Sequence, residues 1–165
     1  QTPEPVKLVI AAIGRMKRGA EQDLCARYAN RIDKAGRGLG LGPLRIVEFS
    51  ESRAPRPAER KAQEAELLLN AAPPEAAKFV LDEHGNAHSS RSFTDLLAAH
   101  RDEGIAEAWF FIGGADGHGD ALLAAATHKI ALGQMTFPHQ IVRCLLAEQI
   151  YRAITILSGH PYHRD

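Results

Sequence analysis

IALGQMTFPHQIVRCLLAEQIYRAITILSGHPYHRD, running from Ile130 to Asp165, is the stretch that decides how this chain folds. It opens on a short apolar strand and a glycine turn, then continues as one long amphipathic helix and a polar tail. Pro138 stands where proline is tolerated, in the first turn of a helix. From there Ile141, Val142, Leu145, Leu146, Ile150, Ala153, Ile154 and Leu157 recur at steps of one, three and four, which predicts a single apolar stripe. The opposite face carries Arg143, Glu148, Tyr151, Arg152 and Thr155, and Gly159 offers a left-handed stop. By periodicity alone the helix belongs to a core or an interface. The tail is different. Chain ends are usually plain and frayed, whereas His160-Pro-Tyr-His-Arg-Asp gathers two histidines, a tyrosine and an arginine after a strong helix. It is the functional suspect.

Upstream, strand and helix patterns alternate. Lys7 to Ile13 is a near-continuous apolar run ending at Gly14, the pattern of a buried parallel strand. Glu21 to Ala35 reads as a helix, 36–43 as a glycine-rich basic loop, and Leu44 to Phe49 as a second strand. A basic, proline-punctuated loop with Arg53, Arg56 and Arg60 feeds a helix from Ala58 to about Ala72. That helix mixes charge signs at Glu59, Arg60, Lys61, Glu64 and Glu66, usually the mark of a solvated face. Lys78 to Leu81, Ala108 to Ile112 and Lys129 to Leu132 complete five strands. Helices are expected from Ser89 or Ser90 to about Arg101 and from Gly119 to Ala126. The alternation predicts an α/β class with a mostly parallel sheet flanked by helices. It also predicts one domain over 6–165, with 1–5 a short extension.

The 165 residues carry 20 Lys plus Arg against 20 Asp plus Glu, so the chain is neutral with histidines uncharged. That argues against holding naked nucleic acid by bulk charge, while leaving local basic clusters open. No apolar run reaches the roughly 18 residues of a membrane span, and no secretory signal pattern opens the chain. Cys25 and Cys144 both fall in amphipathic helical patterns and read as buried thiols of a reducing compartment. A soluble, cytoplasmic protein is expected.

Three segments leave the carboxyl ends of the expected strands: Asp82-Glu-His-Gly85, Gly113-Gly-Ala-Asp-Gly117 and Gly133-Gln-Met-Thr-Phe137. Ligands of open α/β sheets bind at such ends. Taken alone, GGADG is equally a phosphate loop, an adenosine loop or a tight turn; it is neither a Walker A nor a G-x-G-x-x-G motif.

MTFPHQ, AEQIYRA and the terminal HPYHR, with FIGGADG (Phe111 to Gly117), FVLDEHG (Phe79 to Gly85) and VKLVIAAIG (Val6 to Gly14), resemble the SPOUT-class ribosomal RNA methyltransferases. The resemblance is to the small single-domain branch that methylates N3 of a pseudouridine in 23S rRNA, and it covers nearly the whole chain in order. It implies a C-terminal trefoil knot, a rare exception to unknotted chains, and S-adenosylmethionine as cofactor, held largely by backbone groups. By motif, the cofactor residues are Leu81, Gly113 and the run Leu132, Gly133, Gln134, Met135, Thr136 and Phe137. Ala115 stands where the family usually has proline, and the following acid, Asp116, is kept. The resemblance further implies a homodimer in which the partner's tail contributes, and action on the assembled ribosome.

An imide nitrogen is a poor nucleophile until its proton leaves, so the chemistry needs alignment with the methyl group and help for the departing proton. The candidates are His163 as acceptor or positioner, Tyr162 as a hydrogen-bonding or stacking wall, and Arg152 and Arg164 as cations. His139 is either a cap or a substrate contact. Arg143 and Arg15 are candidate substrate-binding cations, Arg15 within a cluster with Lys17 and Arg18 that is phosphate-contacting or merely solvated. Glu148 reads as an ion-pair partner of Arg143 or Arg152. His160 and His163 lack the third ligand that a zinc site needs, so no metal is expected. Phe137, Ile141, Ile154 and Leu157 supply more apolar surface than one sheet face covers, a second pointer to a dimer. The alternatives are another RNA target, a silent ribosome-binding module and, weakest, a metal hydrolase using HPYH.

Overall fold

The computed structural model describes residues 4–164; Asp165 and most of the extension at 1–5 lie outside them. The chain runs β1 (Val6–Ile13), α1 (Ala20–Gly36), a 3-10 turn (Arg37–Leu39), β2 (Leu41–Phe49), α2 (Pro57–Ala71), β3 (Ala77–Ala87), α3 (Ser90–Asp102), β4 (Glu107–Ile112), α4 (Asp120–Ala125), β5 (His128–Ala131) and α5 (His139–Ser158). The five strands form one sheet in the order β2-β1-β4-β3-β5, every pair parallel. The expected α/β class and its helix-flanked parallel sheet are therefore observed.

Successive strand residues point to opposite faces, and both faces are covered. Leu8, Ile10, Phe79, Phe110 and Ile112 pack under α1, α3 and α5. Val9, Ala11, Val80, Trp109 and Phe111 pack against α2 and α4 on the other side. Each large side chain so buried stabilises the fold by about 1.5–3 kcal/mol. This double burial is why β1 reads as a continuous apolar run rather than an alternating one.

Two elements are longer than expected. β2 begins at Leu41 because the 3-10 turn takes up only three residues of the expected loop. β3 extends to Ala87, and its pairing slips between Leu81 and Asn86, both of which face Ile130. Residues 82–85 therefore bulge out of the ladder, as an extra segment must. Gly85 is needed at the bulge, since a Cβ there would come within 2.7 Å of the Lys129 backbone.

α5 follows Pro138, which stands just before the helix rather than within it. Gly159 ends it at φ 73°, and the Gly159 and His160 amides donate to the Ile156 and Thr155 carbonyls. Contrary to what its spacing predicts, its polar face is not solvated throughout. Arg143 and Thr155 are each only 2% exposed, because α1 packs along α5 and leaves that side no solvent. Of the apolar residues expected to seek a second chain, Ile154 is spent on this chain's own core, whereas Ile141 stays exposed. Cys25 and Cys144 are free and buried, with sulfurs 2.9 Å apart between α1 and α5. Burial and the neighbouring Cys144 push the Cys25 thiol up to about 12, which keeps it protonated.

Candidate active site

A cavity of about 380 Å³ opens at the carboxyl ends of β3, β4 and β5, under the first turn of α5. Its volume falls in the range of small-molecule and cofactor sites. Of the residues expected to hold a cofactor, Leu81, Gly113, Leu132, Gly133, Met135, Thr136 and Phe137 line it. Gln134 does not; it is exposed. His139 lines the cavity too and makes no side-chain capping bond at the start of α5.

The glycine loop 113–117 follows β4 and closes on itself through a Gly114–Gly117 bridge. A Cβ on Gly113 would sit 3.0 Å from the His118 ring, and one on Gly114 would press on Ile13 and on Glu64 Oε1 at 3.2 Å. Glycine is there so that the loop can lie flat against β1 and α2. Asp116 is held by Arg60 of α2: Nε donates to Oδ2 at 2.7 Å and Nη2 to Oδ1 at 3.2 Å. The guanidinium holds the Asp116 carboxyl below the ordinary carboxylate range. Arg60 and Glu64 thus leave the solvated face expected of α2 and turn to the loops.

His118 was not legible as a site residue. Its Nε2–H donates to the Leu81 carbonyl at 2.8 Å, joining the glycine loop to the end of β3. Burial lowers its pKa, the Leu81 bond opposing weakly, so the ring is neutral near pH 7. Sequence offers no signal for this, since the bond joins residues 37 apart. Asp82 and Glu83 also line the cavity, and among the described residues no lysine or arginine does. A ligand carrying phosphates would find no counter-charge there, whereas a cationic one meets carboxylates.

The tail forms a second cluster, none of its described residues in the cavity wall. Glu148 Oε2 accepts from the Tyr162 hydroxyl at 2.7 Å and from Arg152 Nη2 at 2.8 Å. Arg152 also lies over the Tyr162 ring, 4.8 Å from its centroid, and its Nη1 donates to His163 Nδ1 at 3.1 Å. Burial first, and then the bonds to Glu148 and Tyr28, raise the Tyr162 pKa and keep it a phenol. His163, Tyr162 and Arg152 are thus brought together, with Glu148 as the partner expected for Arg152, while Arg164 is exposed. Val142 in the cavity and Arg152 in the cluster are ten residues apart on α5, about 15 Å along a helix.

Arg143 is elsewhere again. Its guanidinium is enclosed by the Glu48 carboxylate and the carbonyls of Ile13 (3.2 Å) and Gly14 (2.8 Å). Burial at the end of β1 makes it a brace for the 14–19 loop rather than the substrate contact expected from its helical position. Arg15 is exposed on that loop. Among the described residues no three His, Cys, Asp or Glu side chains converge as metal ligands, and no helix is long and apolar enough to cross a membrane.

A glycine-lined cavity at the strand ends of a parallel sheet is the place where open α/β folds take their ligands. The chain belongs to the SPOUT methyltransferases: the family model described as a predicted SPOUT methyltransferase matches residues 6–163. Proteins named ribosomal RNA large subunit methyltransferase H are similar to it throughout. That of Xanthobacter autotrophicus is 52% identical over 96% of this chain and 99% of its own. That of Methylocella silvestris is 49% identical over 97% and 100%. Among solved structures, a probable methyltransferase from Bordetella pertussis Tohama I is 16% identical over 92% of this chain and 95% of its own, with a TM-score of 0.49. The cofactor of the class is S-adenosylmethionine, and the residues present fit it: a sulfonium and an ammonium suit the Asp82 and Glu83 carboxylates, and the molecule carries no phosphate.

Proposed function

We propose that this protein methylates N3 of a pseudouridine in 23S rRNA, working in the cytoplasm as a homodimer on the assembled 70S ribosome. The names of the relatives support the large-subunit RNA target. The neutral net charge supports a folded particle, with local contacts, over naked RNA. The observation that carries the proposal is the separation of two clusters by α5. Cofactor groups gather at its start, while the Glu148–Arg152–Tyr162–His163 group gathers towards its end. A site needing both is completed by a second copy, whose tail reaches this cavity. The trefoil knot of the class accompanies the same proposal, with the cavity loops in its threaded part.

When bound, S-adenosylmethionine supplies an electrophilic methyl on sulfonium, and its loss to nitrogen leaves S-adenosylhomocysteine. The chain's part is to hold, orient and manage one proton. His118 and the glycine loop fix the Leu81 end of the cavity. Arg152 occupies His163 Nδ1, so the neutral ring carries its proton on Nε2. Held this way, His163 donates to a carbonyl oxygen of the base and stabilises the anion left when N3 passes its proton to solvent water. It accepts that proton itself only if Arg152 withdraws. Tyr162, kept a phenol, is a second donor or a stacking wall. Arg152 and Arg164 supply positive charge beside the anion. His139 is the substrate contact at the cavity rim, and Arg15 meets a phosphate.

Tritiated methyl transfer to 70S ribosomes, 50S subunits and naked 23S rRNA, all lacking the modification, tests the target. Label on a pseudouridine of 70S particles, mapped by mass spectrometry, is expected. Label on a different nucleotide, or none with cofactor binding intact, would overturn the substrate.

A further inference from the structure

Residues 50–56, between β2 and α2, form neither helix nor strand, yet the segment is tied down. The Ser52 amide donates to Glu64 Oε2 at 2.9 Å, the Ala54 amide to Ser52 Oγ at 3.2 Å, and Arg60 Nη1 to the Ala54 carbonyl at 3.0 Å. Arg60 is the same side chain that grips Asp116 of the glycine loop. One guanidinium therefore fastens this segment to the wall of the cofactor cavity. Following β2, the segment lies on the strand-end edge that carries the cavity.

Its outward side is basic. Arg53 is exposed and has no hydrogen-bond or ion-pair partner among the described residues. Arg56 meets Glu59 only at 3.8 Å, its side chain 80% exposed, a pairing too open to hold it. An irregular loop held this firmly from beneath, while its arginines stay unengaged, is pre-organised to bind something. Arginine matches the geometry of phosphate oxygens. In a chain of zero net charge, affinity for RNA has to come from such local groups.

We propose that residues 50–56 are an RNA-contacting loop, in which Arg53 and Arg56 pair with backbone phosphates of the substrate RNA beside the cofactor cavity. The assignment rests on the RNA-methyltransferase function proposed above. Arg15, Lys17 and Arg18, on the loop after neighbouring β1, extend the same basic edge.

The test is co-sedimentation of the full chain with 70S ribosomes across a KCl series, alongside calorimetric titration of S-adenosylmethionine. Arg53→Glu/Arg56→Glu is expected to weaken ribosome binding about tenfold or more and to flatten the salt dependence by about one to two contacts. Cofactor affinity should stay unchanged. Arg53→Gln/Arg56→Gln serves as a milder second variant should charge reversal disturb folding, and is expected to give a smaller loss with the same flattening. Wild-type binding that is absent, or variant binding identical to wild type, would overturn the assignment. So would weaker binding with an unchanged salt slope, which would assign the loop to a protein surface instead. Ribosome binding that flattens as expected, without methyl transfer, would keep the loop and sink the reaction.

Discussion

Arg60 and Asp116 meet through two parallel hydrogen bonds, at 2.7 and 3.2 Å, across 56 residues of sequence. The pair joins α2 to the glycine loop and fixes where Gly113 and Gly114 present their backbone. Arg60→Ala and Asp116→Asn are each expected to weaken S-adenosylmethionine binding roughly fivefold, and the double variant no more than the worse single one. Arg60→Lys should not rescue, since a lysine cannot make the paired contact. Calorimetry with each variant, beside its melting temperature, separates a loop effect from general destabilisation.

In the proposed reaction Tyr162 and His163 act on the base rather than on the cofactor. His163→Ala is expected to lower the methyl-transfer rate about 10²-fold or more with cofactor affinity unchanged. Tyr162→Phe keeps the stacking wall and removes the hydroxyl bonded to Glu148, so its loss should be smaller. Single-turnover rates with saturating ribosomes report both. Equal losses in cofactor binding would place the tail's role elsewhere.

His118 gives the fold an acid limit. Its folded pKa lies below 6.5, as does that of His128, both chiefly through burial. The unfolded chain therefore binds protons that the folded chain refuses. This contribution to stability is present above about pH 6.5 and is lost as pH falls through the folded pKa values. Melting temperature should hold steady just above neutrality and decline as pH falls below 6.5. His118→Gln should blunt the decline. A variant with the wild-type profile would remove His118 from this account.

Arg143 is structural. Removing it takes a donor from two carbonyls and from the Glu48 carboxylate, which keeps only the Met16 amide at 2.7 Å, and breaking such a largely buried pair costs about 3–5 kcal/mol. For a chain of this size Arg143→Ala should melt about 6–20 °C lower, as read by calorimetry. Arg15→Ala, on the loop that Arg143 braces, should melt as wild type.

The apolar periods made the layers of this fold legible. β1 reads as buried on both faces because it is, and the stripe on α5 carries Leu146, Ile150 and Ala153 into the core. Glycine at 113 and 133 marked two of the cavity loops. What stayed hidden depends on distance in sequence. Arg143 sits on the polar side of its own helix, and only the packing of α1 and the carbonyls at the end of β1 turn it into a buried brace. Arg60 and Glu64 look like ordinary solvated charges until β4 brings the glycine loop beside them. His118 carries no motif, and its partner is a main-chain carbonyl, which no side-chain pattern announces.

The claim at the centre of this account is that one copy's cavity works with the other copy's tail. Two inactive variants mixed as heterodimers test it directly: His163→Ala, with an intact cavity, and Gly113→Val, whose added side chain crowds the His118 ring. The measurement is methyl transfer to 70S ribosomes after the two are unfolded and refolded together. Each variant alone should be inactive, and the mixture should regain activity from the one site that unites an intact cavity with an intact tail. A mixture as inactive as its components, with heterodimers present, would contradict the account and put each tail to work on its own chain.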